Sequence, residues 1–141
     1  MDEIVRMTAE QWENYACEAH LLAFSVDRPT SFDRTHFALM YVKNKAPYMF
    51  VSCHEMDAET CYIQFGGTFQ PERKDPSAFR AYLKMLGVLL TTYKRLTTKI
   101  KNTNTAMLKP AMRAGFRVVG MSVHNGEILL DHVMEMGALN G

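Results

Sequence analysis

Between residues 77 and 93 apolar side chains return every third or fourth position (Phe79, Tyr82, Leu83, Leu86, Leu90 and Tyr93), the strongest helical stripe in the chain. Strand-like runs lie on both sides of it. A helix that joins two strands of one sheet crosses over that sheet right-handedly, so the strands it connects are parallel. The rest of the chain must be arranged around that unit. Upstream, His36 to Val42, Pro47 to Glu55 and Thr60 to Gly67 are rich in Phe, Tyr, Val, Ile and Thr. Their joints, Lys43-Asn44-Lys45 and Met56-Asp57-Ala58-Glu59, are short and polar, which predicts an antiparallel meander. Ser77 reads as the cap of the long helix.

Ile4 to Met7 is a short strand. Thr8 with Gln11 three residues on is a capping box opening a helix that carries Trp12, Tyr15, Ala16, Ala19, Leu22 and Ala23 on one side. Ser25 to Thr35, with Pro29, reads as loop or a broken short helix. Downstream, Thr98 to Lys101 is a brief strand. Asn104 to Gly115 is an amphipathic helix bearing Met107, Leu108 and Met112, and Pro110 within it suggests a kink or a late start. Gly115-Phe116 stops that helix and leads at once into a strand. Arg117 to Val123 and Glu127 to Val133 flank His124-Asn125-Gly126, where Asn-Gly is a hairpin signal. The order is strand, helix, three strands, helix, strand, helix, two strands. It predicts an α+β fold in a single domain spanning 1–141: a mixed, mostly antiparallel sheet of about six to seven strands, flanked by three or more helices, with a central β-α-β crossover.

A chain of 141 residues with 48% apolar and 22% charged residues buries one ordinary core. A net charge of +1 gives no broad field for nucleic acid or a membrane surface, and no apolar run is long enough to span a bilayer. Cys17, Cys53 and Cys61 have neither disulfide nor zinc spacing, and the five histidines lack ligand spacing, so no metal is expected and a reducing, cytoplasmic setting fits. No Gly-x-Ser-x-Gly, Walker-type loop or His-Glu-x-x-His occurs.

Asn104, the short helix, Gly115-Phe116 and the strand Arg117-Val118-Val119-Gly120-Met121 together resemble the C-terminal signature of the GNAT acyltransferase superfamily. The element order resembles that family's too. The resemblance implies that acetyl-coenzyme A lies in a V-shaped gap between the fourth and fifth strands, its pantetheine arm against the edge of Thr60 to Gly67 and a backbone N–H as oxyanion donor. Gln64 and Asn104 then fall at the cofactor, and Gly66-Gly67 either form a bulge that admits the thioester or simply end the strand. The family's glycine-rich diphosphate loop corresponds to Phe69 to Ala78, which contains no glycine. Arg73, Lys74, Ser77 and Arg80 are the candidates to hold phosphate there, with Glu72 and Asp75 opposing them, and a solvated charged loop is the other reading.

In many members a tyrosine four residues before the Gly-Phe glycine protonates the leaving thiolate, and that position is Ala111. Tyr82 and Tyr93 lie on the long helix's apolar stripe. For a base, His54 and Glu55 close a strand, pointing to opposite faces, and Tyr62 with Gln64 adds polar groups across the hairpin; a surface strand end is the alternative. Two functions follow. One is an N-acetyltransferase using acetyl-CoA to acylate a primary amine of a small molecule or protein. The other is a catalytically inactive GNAT-like protein that binds a partner, resembling small phage-encoded GNAT-like proteins for which a host protein is the target. Aromatic strand edges leave room for a homodimer.

Overall fold

The computed structural model describes residues 2–24, 35–69 and 76–139. The capping box forms as the spacing predicts: Thr8 N–H donates to Gln11 Oε1 at 2.9 Å and Gln11 N–H to Thr8 Oγ1 at 3.2 Å. It divides β1 (Glu3–Thr8) from α1 (Ala9–Phe24). Trp12, Ala16 and Ala19 are fully buried, while Tyr15 is 38% exposed, so the apolar side of α1 is narrower than the sequence pattern implies. The expected loop after α1 lies outside the described residues apart from Thr35.

β2 (Phe37–Lys43), β3 (Ala46–Glu55) and β4 (Thr60–Thr68) form the meander. α2 (Pro76–Leu90) leads to β5 (Arg95–Lys101), then α3 (Thr105–Ala114), β6 (Arg117–His124) and β7 (Glu127–Glu135). The seven strands make one sheet in the order β1-β2-β3-β4-β5-β7-β6. Every neighbouring pair is antiparallel except β4 and β5, the pair joined through α2. Two hairpins turn on two residues with positive φ at both: Asn44 (52°) and Lys45 (65°), then Asn125 (50°) and Gly126 (76°). That is the turn whose twist matches paired strands.

Several boundaries differ from expectation. β5 starts at Arg95, three residues before Thr98. α2 ends at Leu90, where Thr91 and Thr92 N–H groups bond back to Val88 and Leu89 carbonyls, so Tyr93 is a core residue after the helix and not part of its stripe. Pro76 is the first helical residue of α2, a position where its missing N–H costs nothing, so Ser77 lies within the first turn and is not the cap. α3 begins at Thr105 despite Pro110, and Asn104 precedes it without a side-chain capping bond.

The helices sort onto two faces. Trp12, Ala16 and Ala19 of α1 pack against Ala38, Met40, Phe50 and Phe69. On the other face Tyr82, Met85, Leu86 and Leu89 of α2 and Ala111 and Ala114 of α3 join Leu39, Val51, Cys53, Cys61, Ile63, Leu96 and Ile100. α3 closes with Gly115 N–H on Met112 O (3.2 Å) and Phe116 N–H on Ala111 O (3.0 Å), the paired bonds of a Schellman end. Gly115 has φ 125°, and a Cβ there would meet Ala138 O at 2.2 Å. Beyond it, Leu139 reaches towards Gly87 of α2. Among the described residues no helix is long and apolar enough to cross a membrane.

Candidate functional site

β4 and β5 share four rungs, from Thr60↔Arg95 to Ile63↔Thr98. Past that point each follows a different partner: β4 runs on along β3 to Thr68↔Met49, and β5 along β7 to Lys101↔Leu129. Two parallel neighbours that stop pairing while both continue leave a wedge, open toward their C-terminal ends. Two features set its apex. β4 carries one extra residue, Gln64, between the pairs Cys53↔Ile63 and Ser52↔Phe65, a β-bulge that turns the strand. On the opposite wall Thr98 Oγ1 donates to Ile63 O at 3.0 Å, a buried bond across the last rung.

The bulge is therefore at Gln64, not at Gly66-Gly67. Those glycines stay in register opposite Val51 and Phe50. A Cβ on residue 66 would lie 3.3 Å from Val51 Cγ1, so the strand is closely packed at that point.

The α1 face of the sheet brings Tyr62 and His54 to the apex, beside the bulged residue Gln64. Tyr62 pairs with both His54 and Thr97, and these alternate with the core residues Cys53, Cys61 and Ile63. Burial first, and then the carboxylate of Asp131, raise the Tyr62 hydroxyl above its usual range. Gln64 Oε1 accepts a hydrogen bond from Thr35 Oγ1 at 2.8 Å. His54 stacks on His36 with ring centres 4.1 Å apart, and His36 Nδ1 accepts the Glu55 N–H at 2.9 Å. Glu55 falls on the other face, as alternation requires, and its carboxylate accepts the Tyr93 hydroxyl. The Tyr93 proton is held more tightly than usual, by burial and then by that bond. Tyr82 is shifted the same way by burial alone.

Arg73 and Lys74 lie outside the described residues. Ser77 Oγ is 3.1 Å from Lys43 Nζ and 3.1 Å from the Tyr48 hydroxyl. Lys43 also sits over the Tyr48 ring, 5.0 Å from its centre. A cation beside a helix N-terminus adds to the positive end of the helix dipole, and the pair favours an anion between them. Sequence reading passed over Lys43 because it precedes a two-residue turn, where a lysine reads as turn solvation. Arg80 and Asn104 are exposed, on α2 and before α3. Ala111 is fully buried and offers no hydroxyl. Among the described residues no three His, Cys, Asp or Glu side chains gather as a metal site.

No family model matches the chain, and no curated protein matches it in sequence. Solved structures do match in fold. The ribosomal-protein-S18-alanine N-acetyltransferase from Escherichia coli superposes with a TM-score of 0.74 at 14% identity, covering 100% of this chain and 97% of its own. A GNAT family acetyltransferase from Elizabethkingia anophelis with acetyl-CoA bound gives 0.69 at 18% identity, covering 96% and 98%. An aminoglycoside acetyltransferase in complex with coenzyme A gives 0.71 at 11% identity, covering 98% and 96%. The fold is that of the GNAT acetyltransferases.

Proposed function

We propose that the chain is an acetyl-CoA-dependent N-acetyltransferase acting on a primary amine. The observation that carries the reading is the β4–β5 wedge, whose ladder stops at Ile63 and Thr98 while both strands continue. An extended pantetheine arm lies along β4 beyond Gln64, as an added strand would. The diphosphate meets the start of α2, where Lys43 and Ser77 are and where the helix dipole favours negative charge. Arg73 and Lys74 supply further charge in this reading, and Arg80 stands one turn along α2.

The acceptor amine enters on the α1 face, where Tyr62, Gln64 and His54 surround the apex. Attack on the thioester carbonyl puts negative charge on its oxygen, and a β4 backbone N–H at the bulge stabilises it. Acetyl-CoA would supply the acyl group and release coenzyme A as the leaving thiol; the chain's own groups bind, orient and exclude water.

Thermal unfolding with and without acetyl-CoA tests the proposal. A ligand that binds only the folded chain stabilises it by about 2.7 kcal/mol at a hundredfold excess over Kd, and the midpoint rises with concentration. Lys43→Glu places a second negative charge beside the phosphates and reduces that rise. An unchanged midpoint at millimolar acetyl-CoA rejects the enzyme.

A second reading is a GNAT-fold protein that binds a protein partner without turnover. It is favoured by β6, the sheet edge, on which Val119, Met121 (68% exposed) and Val123 (70% exposed) present apolar side chains to solvent. That reading predicts no acetyl-CoA shift, and loss of partner capture on Met121→Lys.

A further inference from the structure

We propose that two copies of this chain meet at β1, their strands pairing antiparallel about a two-fold axis through Ile4, with Asp2 of each copy opposite Arg6 of the other. Among the described residues β1 bonds to β2 alone, so its outer edge carries backbone N–H and C=O groups with no strand beside them. Its pairing with β2 runs from Glu3 to Thr8 without a register shift, and it holds no proline, glycine or lysine to interrupt an added strand. The opposite edge, β6, is built differently. Its ladder breaks between Val118 and Gly120, which bends that strand out of line. Neither described helix closes the β1 edge: a hollow of about 250 Å³ lies between Ile4 and Val88 on the α2 face, and one of about 240 Å³ between Met7 and Tyr15 on the α1 face.

Symmetry and charge fix the register. Directly opposite residues of an antiparallel pair lie on the same face of the sheet, so the axis passes through a residue and not between two. An axis through Glu3 opposes two carboxylates, and one through Arg6 opposes two guanidiniums, each a like-charge pair. An axis through Val5 leaves Arg6 facing Ile4. An axis through Ile4 sets Asp2 against the partner's Arg6 at both ends and Ile4 against the partner's Ile4 between them. No other placement along β1 gives two opposite-charge pairs.

The side chains are already held for that contact. Asp2 Oδ2 accepts the Tyr41 hydroxyl at 2.8 Å, which fixes the carboxylate on the α2 face. Ile4 and Arg6 share this face, since they pair with Tyr41 and Leu39 of the main core. The Arg6 guanidinium lies over the Phe37 ring, 3.9 Å from its centre, and makes no ion pair among the described residues. Ile4 is half-buried and Val88 beside it is 40% exposed, so a second copy covers apolar surface as well as pairing charge. β2 and β3 stand between β1 and the wedge wall, and the wedge stays open in both copies.

Sedimentation equilibrium of the whole chain, from micromolar to millimolar concentration, should show one copy passing to two. Asp2→Lys and Arg6→Asp should each weaken that association roughly tenfold or more, because each sets like charges opposite one another at both ends. An equimolar mixture of the two variants should associate again, since every introduced lysine then faces an introduced aspartate and every remaining Arg6 an Asp2. In the unaltered chain, deuterium exchange at β1 backbone amides should slow as the second copy binds. A chain that stays single throughout overturns the proposal. So does association that both charge reversals leave intact, or no recovery on mixing. Association with unslowed exchange in β1 overturns it without any variant, and loss of association in Met121→Lys alone would place the contact on β6 instead.

Discussion

The two halves of β4 behave as different structures although they are one strand. Thr60 to Ile63 is held on both sides, by β3 and by β5, and its inward residues Cys61 and Ile63 belong to the main core. Phe65 to Thr68 follows β3 and faces the wedge on its other edge. One bulged residue and one hydroxyl separate the two. The lesson is that a ligand cleft in a sheet does not require a loose sheet: the strand that forms its wall is anchored in its first half, so its second half stays ordered with an edge to offer.

Stability measurements can break that comparison. Ile63→Ala in the anchored half removes a buried side chain and should cost about 2–5 kcal/mol in urea unfolding. Thr68→Ala in the open half should stay within about 0.5 kcal/mol, since it deletes neither core nor a cap. Similar costs at the two positions would mean that the halves are not distinct. Thr98→Val, which keeps the shape but leaves Ile63 O without its hydroxyl donor, should cost about 1–3 kcal/mol. A neutral result would show that the apex is held by strand pairing alone.

The smallest effect expected is an alkaline one. Tyr62 in the folded chain holds its proton above the ordinary tyrosine value of 10.0, through burial and then Asp131. The unfolded chain therefore ionises first, so this contribution is present below that pH and is lost as pH rises through and beyond it. Tyr62→Phe should flatten the decline of stability at high pH by a small amount. An unaltered slope would assign the decline to the other groups shifted in the same direction, Tyr41, Tyr82, Tyr93 and the Cys53 thiol.

What the sequence made legible was local. The Thr8–Gln11 box, the Asn125-Gly126 turn and the α3 stop at Gly115 each depend on residues within a few positions, where dihedral preference and spacing decide. Element order followed, and with it the parallel pair that makes the wedge. Gly115-Phe116, which carried the family resemblance, has a purely architectural reason in this molecule: a Schellman end beneath a crossing carbonyl.

The chemistry was less visible because it is made by distant pairs. Thr98 meets Ile63 across 35 positions and Lys43 meets Ser77 across 34, separations at which no sequence pattern speaks. The bulge went to Gln64 and not to the glycines because register is set by the whole β3–β4 ladder, not by the most flexible residue in it.

The crossing of residues 136–139 over Gly115 has a practical corollary. Ala138 O occupies the space a side chain at 115 would need, and Leu139 comes within 3.8 Å of a Cβ on residue 87, so this short tail ties the C-terminal ends of α2 and α3 together beside the start of β5. A shift of either helix against the other therefore registers in the tail. A spectroscopic reporter on Met136, exposed at that end, can follow the two helices without entering the wedge.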